Sequence, residues 1–110
     1  MKEGVPMKMI WAVVRSDKVE QIARQLNKAG ISGCTVYPVR GYGEHWHLYE
    51  PLIHGGHHKL EVIVEDEQVE RVVKEIVKSG STGREGDGML SVFDLQSVVS
   101  LKTKFSSEKS

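Results

Sequence analysis

The feature that most constrains this fold is an internal duplication. Residues 10–30, IWAVVRSDKVEQIARQLNKAG, align without a gap on residues 60–80, LEVIVEDEQVERVVKEIVKSG. Apolar residues recur at matching positions, and each copy ends in a glycine, Gly30 in the first and Gly80 in the second. Such self-similarity is typical of a repeated supersecondary unit, so the chain is expected to contain two halves of one architecture.

Each copy has the pattern of a strand followed by a helix. Residues 10–15 and 60–65 are runs rich in β-branched residues, which are typical of strands. The apolar residues that follow are spaced three or four apart, and this spacing predicts a helix with one apolar face.

The helix ends carry their own signals. Ser16 or Asp17 is expected to accept hydrogen bonds from the free N–H groups of the first helix, and Asp66 from those of the second. Gly30 and Gly80 are expected to end the two helices in a left-handed conformation, which glycine adopts without steric cost.

A second strand follows each helix, at residues 33–40 (GCTVYPVR) and 89–95 (MLSVFDL). Pro38 lacks a backbone donor, so its N–H side is expected to face away from a neighbouring strand. The order β-α-β, β-α-β with right-handed crossovers predicts an α+β fold, the ferredoxin-like split βαβ sandwich. One face of its sheet carries no helix, and we expect other subunits to cover that face.

Charge and cysteine content exclude several classes of protein. The chain has 110 residues with 15 basic and 15 acidic side chains, and it lacks the basic stripe of a nucleic-acid binder. No apolar stretch approaches the length of a membrane span, and residues 1–7 lack the pattern of a signal peptide. A single cysteine, Cys34, fits a reducing compartment, so the cytoplasm is the expected location.

Two segments fall outside the duplicated pattern. Residues 41–58, GYGEHWHLYEPLIHGGHH, separate the halves and are long for a loop in a compact domain. Residues 79–89, SGSTGREGDGM, contain four glycines. A backbone this rich in glycine can cradle an anion with its amides, or it can simply form a tight turn that leads into a strand.

The second segment carries a specific resemblance. Residues 82–93, TGREGDGMLSVF, are similar to the signature TGxxGDGKIFVF of the PII signal-transduction family. The first half agrees through a G-x-T-V motif at residues 33–36 and a G-Y-G motif at residues 41–43. The resemblance runs from about Met7 to Thr103 and identifies residues 1–103 as a PII-like domain, followed by a mobile tail at residues 104–110.

The resemblance implies a homotrimeric regulator that binds an adenine nucleotide between subunits and is not an enzyme. It also implies that an exposed loop, residues 44–56, docks on a partner, which is a membrane transporter or a regulated enzyme. The nucleotide-binding residues that it implies are Val13, Thr35, Gly41, Tyr42, Gly43, His57, Ile63, Thr82, Gly86, Asp87, Gly88, Met89 and Lys102.

The chain departs from the family at several cations. The lysine after GDG is Met89, the basic pair of the last strand falls at Ser100 and Lys102, and the lysine at the base of the loop falls at His57. Charge-assisted hydrogen bonds to phosphate are among the strong ones, so their loss weakens triphosphate binding. ADP, AMP or a cyclic nucleotide is therefore as suitable a ligand as ATP.

All five histidines lie in residues 45–58, which raises a second interpretation. Imidazole is the commonest protein ligand of transition metals, so His45, His47, His57 and His58 are candidate ligands of a divalent metal. Exposed polar loop residues would give the same composition. A third interpretation is a sensor of bicarbonate or another small anion.

The same loop contains apolar side chains that suit a protein interface. The candidate partner-binding residues are Trp46, Tyr49, Leu52 and Ile53. Aromatic residues are enriched at interface hot spots, although these side chains can equally fold back over the sheet or pack on a neighbouring subunit.

Overall fold

The computed structural model describes residues 5–41 and 56–102 of the chain. They form strands and α-helices in the order β1 (Met7–Arg15), α1 (Val19–Lys28), β2 (Thr35–Val39), β3 (His57–Glu65), α2 (Val69–Gly80) and β4 (Gly88–Leu95). A 3-10 turn precedes each helix, at Ser16–Lys18 and at Asp66–Gln68.

The sheet has the strand order β2-β3-β1-β4, and every neighbouring pair is antiparallel. The two similar strands β1 and β3 are therefore central, and each half contributes one edge strand. This arrangement confirms the predicted ferredoxin-like fold. Pro38 lies on the edge strand β2, opposite His58 of β3, as its missing donor requires.

The core lies between the sheet and the two helices. Alternate residues of the central strands are buried, and they pack against one face of each helix. The buried side chains are Ile10, Ala12 and Val14 of β1, Leu60, Val62 and Val64 of β3, Ile22 and Leu26 of α1, and Val72 and Ile76 of α2. The matching apolar positions of the duplication thus meet in one cluster.

The central strands extend beyond the predicted runs. β1 begins at Met7, and β3 begins at His57, where it pairs with Arg15 at the other end of β1. His57 and His58, the last two residues of the expected insertion at 41–58, are therefore strand residues. The longer pairing explains the difference, because β1 offers a partner to each of them.

The predicted capping residues at the helix starts were wrong. Neither helix has a side-chain cap from Ser16, Asp17 or Asp66; instead the Gln68 side chain accepts from the Glu65 backbone N–H at 2.8 Å. The 3-10 turns displace the first α-helical residue past the predicted caps.

The two helix-terminal glycines serve different purposes. Gly30 follows α1 with φ = 84°, as predicted. Gly80 lies within α2 and is absent from the positive-φ positions, so the predicted left-handed conformation was wrong there. A Cβ at Gly80 would lie 3.1 Å from Ile22 Cδ1, so this glycine permits close packing of α2 on α1.

The sheet face opposite the helices carries aromatic and charged side chains. Trp11 and Phe93 meet edge to face, with ring centroids 4.8 Å apart. Lys59 Nζ lies 3.2 Å from the centre of the Trp11 ring, and the Tyr37 hydroxyl donates to the Glu61 carboxylate. We call this surface, which has partly exposed apolar side chains, the open face.

Several expectations lie outside the described residues. They concern residues 44–55 of the expected docking loop at 44–56, the histidines and apolar residues among them, and the tail at 104–110. Neither helix in the described ranges has the length and apolarity that crossing a bilayer requires.

Candidate functional site

The glycine-rich turn at residues 82–88 is built on positive backbone angles. Gly83, Gly86 and Gly88 have φ values of 81°, 88° and 106°, a region that other residues rarely adopt. Gly88 also lies close to the backbone of β1, because a Cβ there would lie 1.8 Å from the Val13 carbonyl oxygen. The glycines of the motif are therefore required by the path of the chain.

Asp87 organises the turn from within. Its carboxylate accepts from the backbone N–H groups of Thr82 at 2.9 Å and Gly83 at 2.8 Å, and from the Thr82 hydroxyl. It also accepts from Arg15 Nε at 2.8 Å. Burial by itself raises the pKa of Asp87, but the bonds from Thr82, Arg15 and Gly83 outweigh burial and hold that pKa well below its ordinary value.

Two side chains from the ends of the central strands hold the backbone of the turn. Arg15 Nη2 donates to the Glu85 carbonyl at 2.7 Å. His57 Nε2 lies 2.6 Å from the Gly86 carbonyl, which accepts only, so this nitrogen carries the proton. Arg15 and His57 are 7% and 3% exposed, and the turn is thereby fixed to the sheet.

The strand ends beside the turn are tied to each other. The Ser16 backbone N–H donates to the Gly56 carbonyl at 3.0 Å, and the Ser16 hydroxyl lies 2.7 Å from His58 Nδ1. The start of β3 is thus held against the end of β1, directly after the segment outside the described residues.

Among the residues that the structure describes, one cleft lies at each end of β1. The first is bounded by the turn, β1, β4 and the end of α2. The residues that line this cleft include Val13, Asp87, Gly88 and Met89. The Met89 side chain is 76% exposed. The second cleft is lined by residues that include Met7, Ile31 and Ile63.

The structure therefore brings together only some of the predicted nucleotide-binding residues. Val13 and Met89 share the first cleft, and Ile63 lies in the second. Thr35 is exposed on β2 opposite Glu61, and Gly41 and Lys102 are exposed. The turn itself contains four of the predicted residues, which are Thr82, Gly86, Asp87 and Gly88. His57 lies against the turn. Tyr42 and Gly43 lie outside the described residues.

The histidines of β3 have structural partners. Within residues 5–41 and 56–102, no group of three or more histidine, cysteine, aspartate or glutamate side chains is placed to hold a metal ion. His57 contacts Gly86 and His58 contacts Ser16, whereas His45 and His47 lie outside the described ranges. Metal binding stays a prediction.

Sequence reasoning missed Arg15 as a site residue. The signal was present, because Arg15 ends an apolar strand at a position where a cation needs an acidic partner. Asp87, the acidic residue within the GDG motif, is that partner.

The chain matches the family model "Nitrogen regulatory protein P-II" over residues 7–104. It is 36% identical over 110 residues to nitrogen regulatory protein P-II 2 of Methanothermobacter thermautotrophicus, covering 94% of this chain and 96% of that one. It is 33% identical over 109 residues to the P-II protein of Pasteurella multocida, covering 88% and 93%.

A solved structure agrees with these sequence relatives. The crystal structure of Arabidopsis thaliana PII bound to citrate is 31% identical and superimposes with a TM-score of 0.75, over 96% of this chain and 92% of the other. These family matches, which the fold and the glycine-rich turn support, identify the class as regulatory signal transducers rather than enzymes. The chain belongs to the nitrogen regulatory protein P-II family.

Proposed function

We propose that the protein is a homotrimeric sensor that binds an adenine nucleotide between subunits and reports its presence to a partner, a transporter or a regulated enzyme. The observation that carries this proposal is the 82–88 turn, whose glycines and aspartate match the family signature. In this chain the glycines allow the positive backbone angles of the turn and its close approach to β1, and the aspartate accepts hydrogen bonds from the turn backbone.

The two clefts support a site that is shared between copies of the chain. Of the residues expected around the nucleotide, four line the cleft at the turn end of β1, and Ile63 lines the cleft at its opposite end. Neither cleft alone contains all of these residues. A site shared between copies would combine the turn of one subunit with Ile63 and Thr35 of another.

The open face supports the same arrangement. Trp11, Ile63 and Phe93 are 40%, 43% and 36% exposed on a sheet face that carries no helix. An apolar surface of this kind suits burial against identical chains, because burial removes it from water.

The charges of the turn favour a ligand with a short phosphate chain. Arg15 is already paired with Asp87, and an exposed methionine, Met89, follows the GDG motif. Arg84 is the exposed cation of the turn, and its Nε lies 3.3 Å from the Thr82 hydroxyl. With few cations to compensate phosphate charge, ADP or AMP is expected to bind at least as well as ATP.

Calorimetric titration of the purified protein with ADP, AMP and ATP tests the proposal. We expect saturable binding of ADP or AMP, with one site for each subunit. Met89→Lys is expected to raise ATP affinity about 10-fold by adding a charge-assisted bond. Asn27→Lys adds the same charge on the exposed surface of α1 and is expected to change nothing. The absence of binding by all three nucleotides would overturn the proposal.

A further inference from the structure

Arg15 and His57 are direct partners across β1 and β3, and both reach the same turn. Together they contact three successive residues: Arg15 binds the Glu85 carbonyl and the Asp87 carboxylate, and His57 binds the Gly86 carbonyl. Both side chains are more than nine-tenths buried. Three consecutive contacts from two buried groups fix the conformation of this stretch more narrowly than the glycines alone would allow.

The direction of these carbonyls determines the direction of the next amides. A trans peptide unit holds its C=O and its N–H on opposite sides. The structure has no cis peptide bond in the described residues. Because the Glu85 and Gly86 carbonyls are drawn toward Arg15 and His57, the N–H groups of Gly86 and Asp87 are turned away from the strand ends. Two successive N–H groups with one orientation form a concavity that suits an anion.

We propose that Arg15 and His57 are positioning residues, which aim the N–H groups of Gly86 and Asp87 at a phosphate group of the ligand. The inference rests on the proposed function for the identity of the ligand. The inference assigns different roles to the two kinds of group. Buried Arg15 neutralises Asp87 and shapes the backbone, and the backbone amides contact the anion.

The test uses the full-length protein and two probes, ADP and inorganic pyrophosphate. In ¹⁵N-resolved NMR spectra, both probes are expected to shift the amide signals of Gly86 and Asp87. His57→Ala is expected to weaken ADP binding about 10-fold, whereas His57→Gln, which retains a side-chain N–H donor, stays within about 3-fold.

Arg15→Lys separates positioning from charge. Lysine keeps the positive charge beside Asp87 but lacks the planar fork that binds Asp87 and Glu85 together. We expect weaker ADP binding and faster hydrogen exchange at the Thr82 and Gly83 amides, with unchanged exchange in α1. Arg24→Gln, which removes an exposed cation on α1, is the matched control and is expected to behave as the wild type.

The outcomes distinguish this inference from the proposed function. If pyrophosphate shifts the Gly86 and Asp87 amides but no adenine nucleotide binds, the nucleotide proposal fails and the positioning inference stands. If neither probe shifts these amides, the inference is overturned. It is equally overturned if His57→Ala and Arg15→Lys retain wild-type ADP affinity.

Discussion

Arg15 Nε lies 2.8 Å from Asp87 Oδ1, and this ion pair joins the end of β1 to the centre of the glycine-rich turn. The arginine side chain is 8% exposed and the aspartate 23% exposed, so water screens the pair only weakly. The remaining carboxylate bonds come from the turn itself. One aspartate thus connects the sheet, the turn and the candidate ligand site.

Asp87→Asn is expected to lower the free energy of unfolding at neutral pH by about 2 kcal/mol, because Arg15 loses its charged partner. The pKa of Asp87 lies well below its ordinary value in the folded protein. Its stabilising contribution is therefore present above the unfolded pKa and is lost as pH falls through the folded one. Urea unfolding at neutral pH and near pH 3, at one protein concentration, measures this difference.

The difference between wild type and Asp87→Asn is expected to shrink as pH falls below about 4. Asp17→Asn removes an exposed carboxylate from the first 3-10 turn and serves as the control. Equal stability of wild type and Asp87→Asn at neutral pH would contradict the assigned role of the ion pair.

Three glycine-to-alanine substitutions should differ in cost for separate physical reasons. At Gly33 a Cβ meets nothing within 4 Å, so Gly33→Ala should be close to neutral. At Gly30 the space is open but φ is 84°, so Gly30→Ala should cost about 1 kcal/mol. At Gly88 the Cβ would lie 1.8 Å from the Val13 carbonyl oxygen, so Gly88→Ala should cost several times more, roughly 3 kcal/mol or above. Thermal unfolding ranks the three, and any other order would contradict this account.

The fold could be predicted because the duplication specifies the same strand–helix unit twice. The apolar residues at matching positions of the two copies pack into one core. Pro38 correctly indicated an edge strand. Local signals were weaker guides. Gly80 resembled a helix-ending glycine, but a glycine is needed there because the position lies close to Ile22 of another helix. No local sequence pattern indicates such a contact.

The site could be predicted only as a motif. The sequence places Asp87 between glycines, but the partner that fixes it, Arg15, is 72 residues away and becomes adjacent only through the pairing of β1 with β4. His57 resembled a loop residue because glycines and histidines precede it. Its role depends on where β3 begins, and the length of β1 sets that position.

Ile63→Asp tests the role of the open face in assembly. Ile63 is 43% exposed on that face, so a carboxylate there should leave the subunit folded but prevent its burial against another copy. We expect a trimer for the wild type and a smaller species for Ile63→Asp by light scattering coupled to size exclusion. Asn27→Asp, which adds a carboxylate on exposed α1, should stay trimeric. A wild-type monomer at micromolar concentration would contradict the shared-cleft arrangement.

Tyr37 provides a spectroscopic probe of the open face. Its hydroxyl donates to the Glu61 carboxylate, and this hydrogen bond, followed by burial and the glutamate charge, raises the pKa of Tyr37 above its ordinary value. Ionising the phenol would place a second negative charge beside Glu61, so the neutral form is favoured. Alkaline titration of phenolate absorbance should therefore contain a late component, absent in Tyr37→Phe and moved to lower pH in Glu61→Gln. If Glu61→Gln left that component unchanged, the hydrogen bond would not be its cause.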